Sequence, residues 1–166
     1  MGGGGSNNYD RPIIERLAKV AQDNLSKAQP EKRNIFISFD HRDVVEVNFL
    51  RGQAKNENND LEFNDYSLKE PYNSERAEYI KSGIRERIRQ ASVTLIYVSD
   101  VTHESEWVDW EVRESLEQGK GVICLHKGDT PPAKLPKFVS EFGLKVIPWK
   151  HKELIAAIEK ASQKRS

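Results

Sequence analysis

The sequence has little cysteine, no long apolar run and no excess of charge of either sign. Its single cysteine, Cys124, excludes a disulfide scaffold or a cysteine-built metal site, and a reducing cytoplasm is the expected location. The 26 basic residues equal the 26 acidic ones and are scattered, so the electrostatic footprint of a duplex-binding protein is missing. No segment approaches the roughly 18 consecutive apolar residues of a membrane span, and we expect no signal peptide. One cytoplasmic domain without nucleic-acid or membrane partners is therefore expected.

The first 31 residues differ from the remainder. Residues 1–9 are rich in glycine and are expected to form a flexible tail. Over residues 10–31 apolar side chains recur at helical spacing, with Asp10 as a cap, and a helix ending before Pro30 is predicted, followed by a linker. This helix either docks on the following domain or supplies a contact between copies of the chain.

Residues 32–163 alternate short β-type runs with helical patterns and are predicted to form one α/β domain. Strands are predicted at residues 34–39, 61–65, 92–98, 121–125 and 144–147. Helices are predicted at residues 44–53, 74–90, 105–118 and 153–161. Ser74 is predicted to cap the second of these helices and Gly119 to end the third, and residues 127–137 are predicted to form a loop.

Five strands separated by helices require a parallel sheet with helices on both faces, because each crossover must be right-handed. We predict the flavodoxin-like order 2-1-3-4-5, since the second strand is the most polar and the first and third are the most apolar. In such a sheet ligands bind beyond the carboxyl ends of the strands where the strand order reverses, here between the first and third strands. The loops at residues 40–43 and 99–105 border that position, and the loop at residues 65–73 is long enough to cover it.

The helix after the third strand carries an aromatic ring and a carboxylate one turn apart. Trp107 and Glu111 share a face about 100° from the apolar stripe of the helix, so both are predicted at the rim of the site rather than in the core. This pair suits a ligand that has a ring and a developing positive charge. The pattern alone equally fits an amphipathic tryptophan beside a solvated glutamate.

Several segments, in order and at the right spacing, resemble Toll/interleukin-1 receptor (TIR) domains. Residues 34–40 (Asn-Ile-Phe-Ile-Ser-Phe-Asp) resemble the opening strand, residues 61–66 the second strand and start of the BB loop, and residues 92–99 the third strand. Ser-Glu-Trp-Val-Asp-Trp-Glu at residues 105–111 resembles the start of helix αC. The pieces Phe-Asp-His, Asn-Asp-Tyr-Ser-Leu-Lys-Glu-Pro, Tyr-Ile-Lys-Ser-Gly-Ile-Arg and Trp-Val-Asp-Trp-Glu look like the bacterial TIR-like proteins of Thoeris anti-phage systems. The resemblance covers most of residues 32–162.

The resemblance implies that NAD⁺ is the substrate. Enzymatic TIR domains cleave the bond between nicotinamide and ribose, and Thoeris members make ADP-ribose-derived signals, cyclic or conjugated, that activate a separate effector protein. The family's catalytic glutamate falls four residues after the αC tryptophan, which corresponds to Glu111 after Trp107. No further cofactor is expected. Family behaviour also implies a homo-oligomer, and a phage component is the candidate trigger.

The chemistry suits a carboxylate. Nicotinamide leaves as a neutral amine, so the transition state resembles a ribosyl oxocarbenium ion, as in glycoside cleavage. A fixed carboxylate stabilises that charge or captures it briefly, and no metal or external base is needed. Glu111 must be ionised for this role, and a normal or modestly raised pKa is adequate for it.

Six further residues are predicted to line the substrate site: Ser38, Phe39, Asp40, His41, Asp65 and Trp107. Phe39 is placed to stack on a nucleotide ring or to pack in the core, and Ser38 to hydrogen-bond the ribose or to point inward. Asp65 begins the covering loop, where an ordinary polar turn residue fits equally well. Many relatives carry arginines near the first loop that meet the pyrophosphate, so Arg42 is the substitute candidate here.

Other classes of site are disfavoured. The four histidines are isolated, so no metal site is expected, and Lys120 lies between Gly119 and Gly121 without the phosphate-binding P-loop pattern. A phosphoacceptor response regulator shares the topology but gives the Trp107–Glu111 pair no role. Two alternatives remain open. One is a non-catalytic TIR adaptor that acts through homotypic assembly, and the other is a nucleotide-sugar hydrolase of similar fold.

Overall fold

The computed structural model describes residues 12–20, 33–58, 60–65 and 71–163. The chain divides into two units, residues 1–32 and residues 33–166. In the described residues no helix is both long and apolar enough to cross a membrane.

The first unit contains helix α1, described over residues 12–20. Its large apolar side chains are all at least half exposed, namely Ile13, Ile14, Leu17 and Val20. The predicted tail, the Asp10 cap and the predicted end of this helix before Pro30 lie outside the described residues.

The second unit alternates strands and helices along its length. The elements are β1 (Arg33–Ser38), α2 (Val44–Glu57), β2 (Leu61–Asn64), α3 (Ala77–Gln90), β3 (Val93–Tyr97), α4 (Glu106–Glu117), β4 (Gly121–His126), α5 (Lys137–Glu141), β5 (Val146–Pro148) and α6 (His151–Gln163). Single-turn 3₁₀ helices at His41–Asp43 and Thr102–Glu104 precede α2 and α4.

All five strands are parallel and lie in the order β2-β1-β3-β4-β5, which confirms the predicted flavodoxin-like sheet. Ile35 of β1 is in register with Phe63 of β2 on one side and with Val93 of β3 on the other. The strand order therefore reverses between β1 and β3. In sheets of this kind ligands bind beyond the carboxyl ends of the strands at that point.

Successive side chains of a strand point to opposite faces of the sheet. Apolar strand side chains lie on both faces here, and helices cover both. Ile35 and Ile37 of β1 belong to a core cluster shared with α2 and α6. Phe36, between them, belongs to a cluster built mainly by α3. A third cluster joins β3 and β4 to α4 and α5. Ser38 continues the Phe36 face, so its side chain lies on the α3 and α4 side of the sheet.

Several predicted element boundaries differ from the structure, and three of the differences concern α2, α3 and α5. α2 continues to Glu57 instead of ending at Gln53, because Ala54 is buried against the core. α3 begins at Ala77 instead of at a Ser74 cap, and Ser74 Oγ is buried without a hydrogen-bond partner in the described part of the chain. The segment predicted as a loop ends in the short helix α5, which follows Pro136 and buries Phe138.

The predicted boundaries of α4 are confirmed. The Ser105 hydroxyl accepts a hydrogen bond from the Val108 N–H at 3.2 Å and caps the helix at its start. Gly119 follows the last turn with φ of 74°, a conformation that glycine adopts without strain. These two ends fix where Trp107 and Glu111 lie along the sheet.

Candidate functional site

The loops after β1 and β3 are bonded to each other at the point where the strand order reverses. Ser99 Oγ donates to Asp43 Oδ2 at 2.6 Å, and Arg42 Nη1 donates to Glu104 Oε2 at 2.9 Å. Arg42 Nη2 also lies 3.4 Å from the Val101 carbonyl oxygen. The two loops that were predicted to border the site are therefore neighbours, and side-chain bonds between them hold the start of α4.

Asp40 is a buried carboxylate with a complete set of partners. Its Oδ1 accepts hydrogen bonds from the Arg42 backbone N–H at 2.9 Å and from Arg42 Nε at 2.8 Å. Burial acts to raise the pKa of Asp40, but the hydrogen bonds and charge of Arg42 outweigh it and hold the pKa below its ordinary value. Asp40 thus caps the turn that starts α2, and Arg42, the candidate for a pyrophosphate contact, is engaged with Asp40 and Glu104.

His41 is the exposed member of the β1 loop. Its side chain is 66% exposed, and Nδ1 lies 3.6 Å from Asp40 Oδ1. It lies at the surface, near the point where the strand order reverses, beside the Asp40 carboxylate that is bonded to Arg42. The structure leaves its predicted contact with substrate as a prediction.

Glu111 is buried, with 6% of its surface exposed, and this corrects its predicted position at the rim. The reason is that α4 contacts β1 and α3 in addition to β3 and β4, so a second face of the helix is covered. Burial raises the pKa of Glu111 well above its ordinary value, because the charged form loses its hydration.

Two residues from neighbouring strand ends act on the Glu111 carboxyl. The Ser38 hydroxyl, at the end of β1, favours the ionised form and so opposes the rise in pKa caused by burial. The negative charge of Asp65, just after β2, adds to that rise. Ser38 Oγ is itself buried and makes no well-formed hydrogen bond within the described residues. Ser38, at the end of β1, and Asp65, just after β2, are therefore both close enough to Glu111 to affect its ionisation.

The backbone of α4 is anchored one turn beyond Glu111. Ser115 Oγ donates to the Glu111 carbonyl oxygen at 2.7 Å and lies 2.9 Å from Thr94 Oγ1 on β3. Ser115 and Thr94 are both fully buried. This polar contact inside the core joins α4 to the central strand β3. It fixes the position of the Glu111 backbone along the sheet.

Trp107 is half-buried and lies in a group of aromatic rings. Its ring meets Tyr72 edge-to-face, with 5.0 Å between centroids and an interplanar angle of 76°. A second edge-to-face contact joins it to Trp110, at 6.3 Å and 87°. Trp110 packs against the cluster built by α3. No local sequence pattern marks the contact of Tyr72 with Trp107.

Asp65 is largely buried and ion-paired. Arg51 Nη1 donates to Asp65 Oδ1 at 3.0 Å, and the Arg87 side chain donates to the Asp65 carbonyl oxygen. Asp65 is thus held at the end of β2, close enough for its charge to affect Glu111. Residues 66–70 of the predicted covering loop, including Tyr66 and Lys69, lie outside the described residues.

Phe39 lies on the other side of the sheet from Ser38 and Glu111. It packs against the core cluster of α2 and α6. Of the two predicted positions for Phe39, packing in the core is therefore the one observed. Trp149 packs against the same cluster and meets Tyr97 edge-to-face at 6.4 Å. A stacking role for Phe39 would require substrate to extend over the carboxyl end of β1.

Sequence reasoning missed the cations around the aromatic group. Lys81 Nζ lies 4.5 Å from the Tyr72 ring centroid and 5.5 Å from that of Trp110, and the Arg85 guanidinium lies 5.4 Å from the Trp110 ring. The helical spacing of Lys81 and Arg85 was visible, but the contact depends on how α3 packs against α4. Among the described residues no group of three or more His, Cys, Asp or Glu side chains is arranged to hold a metal ion.

Comparison with known proteins gives one family and two distant structural likenesses. The family described as Thoeris protein ThsB, TIR-like domain, matches residues 36–130. The TIR domains of the activated Roq1 resistosome directly recognizing the pathogen effector XopQ are 13% identical, over 80% of this chain and 82% of that chain, with a TM-score of 0.44. A 3-dehydroquinate dehydratase-like protein from Bifidobacterium longum is 10% identical, over 82% and 99%, with a TM-score of 0.40. Neither likeness bears on function, and no curated protein matches.

Proposed function

The chain belongs to the family of Thoeris ThsB TIR-like domains, and from this premise we propose that it is an NAD⁺-cleaving enzyme of anti-phage defence. Its product is an ADP-ribose-derived nucleotide, cyclic or conjugated, that diffuses to a separate effector protein. The proposal includes a cytoplasmic location, assembly into a homo-oligomer and a phage component as trigger. The observation that carries it is the buried carboxyl of Glu111 at the point where the strand order reverses.

The environment of Glu111 suits a cationic substrate. In the empty site burial favours the neutral carboxylic acid, since an uncompensated charge is costly there. The nicotinamide ring of NAD⁺ carries a positive charge, which lowers the pKa of a carboxyl placed beside it. Binding of NAD⁺ therefore converts Glu111 to the ionised form and releases its proton. Inside the water-poor site the resulting charge pair is stronger than it would be in solution.

Cleavage then breaks the bond between ribose C1′ and the nicotinamide nitrogen. The bonding electron pair moves to the ring nitrogen, which neutralises the ring, and positive charge develops on the ribose. The Glu111 carboxylate stabilises this charge. A ring nitrogen or hydroxyl of an acceptor, or water, attacks C1′ and loses its proton, giving a cyclic, conjugated or hydrolysed product. Ser38 supports the ionised carboxylate from the end of β1, and Trp107 contacts the substrate one helical turn before Glu111.

The test compares triggered wild-type protein with Glu111→Gln, which keeps the shape of the side chain and removes its charge. Glu117→Gln is the matched control, since Glu117 lies at the exposed end of the same helix. Nicotinamide release and nucleotide products are measured by mass spectrometry. We expect Glu111→Gln to lose about 100-fold or more of the activity and Glu117→Gln to retain it. Equal activity of Glu111→Gln and wild type would remove the assigned role.

A non-catalytic TIR adaptor is the second candidate, and exposed apolar side chains on α2 favour it. Val45 is 79% exposed and Phe49 is 61% exposed, one turn apart on the same face. If assembly is the whole function, Phe49→Lys abolishes protection against phage in cells while Glu111→Gln remains protective. If the protein is an enzyme, Glu111→Gln loses protection against phage. Product analysis distinguishes the proposed enzyme from a plain nucleotide-sugar hydrolase, whose only nucleotide product from NAD⁺ is ADP-ribose.

A further inference from the structure

Three aromatic rings and one ammonium group form a closed cluster beside the proposed site. Tyr72 contacts Trp107, Trp107 contacts Trp110, and Lys81 Nζ lies 4.5 Å from the ring centroid of Tyr72 and 5.5 Å from that of Trp110. We name these four residues the Lys81 cluster. Its members come from the turn before α3, from α3 itself and from α4, so it joins three segments of the chain.

Lys81 is unusually enclosed for a lysine on an outer helix. Its side chain is 14% exposed, and its Nζ lies 3.6 Å from the carboxylate of Glu78, which is itself 81% exposed. A cation over the face of an aromatic ring is attracted by the ring quadrupole, and the attraction strengthens as water is excluded. Lys81 therefore interacts with both Tyr72 and Trp110, and these two rings are the neighbours of the Trp107 ring on either side.

We propose that Lys81 is a positioning residue that holds the Trp107 ring in the orientation in which it meets the substrate. Its ammonium group keeps Tyr72 in place, and the edge-to-face contact of Tyr72 fixes Trp107 one helical turn before Glu111. This inference rests on the proposed function, because it takes Trp107 as a substrate contact. It adds that substrate binding depends on a lysine and a tyrosine that act on the substrate through the Trp107 ring.

The fold itself has other sources of stability in this region. α3 is held by its buried residues Ile80, Ile84 and Ile88. The end of α3 is fixed by Lys120, whose Nζ donates to the carbonyl oxygens of Arg89 and Ala91, each at 2.9 Å. Removal of the Lys81 ammonium should therefore leave α3 in place and loosen mainly Tyr72 and Trp107. The effect is expected in KM, while kcat, which depends on Glu111, changes little.

The experiment pairs each disruptive variant with a conservative one. Lys81→Met keeps the length of the side chain without its charge, and Lys81→Arg restores a cation. Tyr72→Leu removes the ring, and Tyr72→Phe restores it. Lys55→Met is the control, since Lys55 is an exposed lysine of α2 that pairs with Glu62 at 3.9 Å. We expect KM for NAD⁺ to rise about threefold to tenfold in Lys81→Met and Tyr72→Leu. Lys81→Arg, Tyr72→Phe and Lys55→Met should stay near wild type.

A second readout is independent of activity. The near-ultraviolet circular dichroism of the tryptophans in the substrate-free protein should change in Lys81→Met and recover in Lys81→Arg. An unchanged spectrum in Lys81→Met contradicts the inference, as does an unchanged KM in an enzyme that cleaves NAD⁺. A wild-type protein that cleaves no NAD⁺ after triggering contradicts the proposed function itself. The two failures are distinguishable because the spectrum is recorded without substrate.

Discussion

Two carboxyl groups are buried almost equally near the same edge of the sheet, yet their surroundings are opposite. Asp40 is 5% exposed and Glu111 is 6% exposed. Asp40 accepts three hydrogen bonds from Arg42, and its pKa is lowered. Burial and the charge of Asp65 raise the pKa of Glu111, and among the described residues only the Ser38 hydroxyl opposes that rise. The protein supplies a cation to the first carboxylate, and we infer that the substrate supplies one to the second.

The difference distinguishes a carboxylate that stabilises local structure from one for which we propose a chemical role. A buried charge with its partners in place stabilises local structure, here the turn that begins α2. A buried carboxyl without a cation lowers the stability of the protein and is retained where it has a chemical task.

Replacement of the two carboxylates should have opposite consequences. Glu111→Gln should lose about 100-fold or more of NAD⁺ cleavage, while its melting temperature stays equal to or above that of wild type, because a poorly solvated carboxyl has been removed. Differential scanning calorimetry beside the nicotinamide assay measures both quantities. A large fall in melting temperature for Glu111→Gln would mean that Glu111 is a structural residue, as Asp40 is, and would contradict the distinction between the two carboxyl groups.

Asp40→Ala should behave in the other way. It removes the cap of the turn before α2 and the partner of Arg42, and we expect it to lower the free energy of unfolding by about 1–2 kcal/mol. Urea denaturation measures this loss, and Asp100→Ala, an exposed aspartate in the loop after β3, is the control. Unchanged stability in Asp40→Ala would show that its bonds with Arg42 contribute little.

The pH dependence of stability should also differ in sign. Because the pKa of Glu111 is raised on folding, its folded form binds more protons than the unfolded chain, and stability falls as pH rises above the unfolded value of about 4.3. Asp40 has a lowered pKa, so its contribution is present above about 3.9 and is lost as pH falls through the folded value. The stability difference between Glu111→Gln and wild type should therefore increase from pH 5 upward, at no more than about 1.4 kcal/mol per pH unit. A difference that is constant with pH would contradict the raised pKa.

The smallest effects concern the neighbours of Glu111. Ser38→Ala removes a group that favours the ionised carboxylate, so the acid limb of kcat/KM should move to higher pH. Asp65→Asn removes a negative charge, and the same limb should move to lower pH. Thr130→Ala, which changes an exposed loop residue, serves as the control. Shifts of the same sign in both variants would show that these residues act through the fold rather than on Glu111.

The sheet could be predicted from the sequence because each element carries its own signal. The apolar run of β3 and the helical spacing of Ile80, Ile84 and Ile88 are local, and the strand order followed from which strands are the most apolar. Element boundaries were less secure where tertiary burial decided them. Ala54 prolongs α2 and Phe138 creates α5, because both side chains reach the core.

The candidate site was predictable only in part. Spacing placed Trp107 and Glu111 on one face of α4, but the sequence could not show that this face is turned toward β1 and α3. The burial of Glu111 and its raised pKa follow from that packing. For the same reason the contacts of Lys81 with Tyr72 and Trp110 were missed. They join residues on different elements, and no local pattern marks them.

We propose that the counter-charge of the buried Glu111 carboxyl arrives with the substrate. The most direct measurement is the number of protons released when a non-cleavable carba analogue of NAD⁺ binds. It is obtained by calorimetry in buffers of different ionisation enthalpy, with the pH varied upward from about the ordinary glutamate pKa. Wild type should release up to one proton for each analogue bound, and Glu111→Gln should release fewer by that amount. Equal release by the two proteins at every pH would contradict the claim.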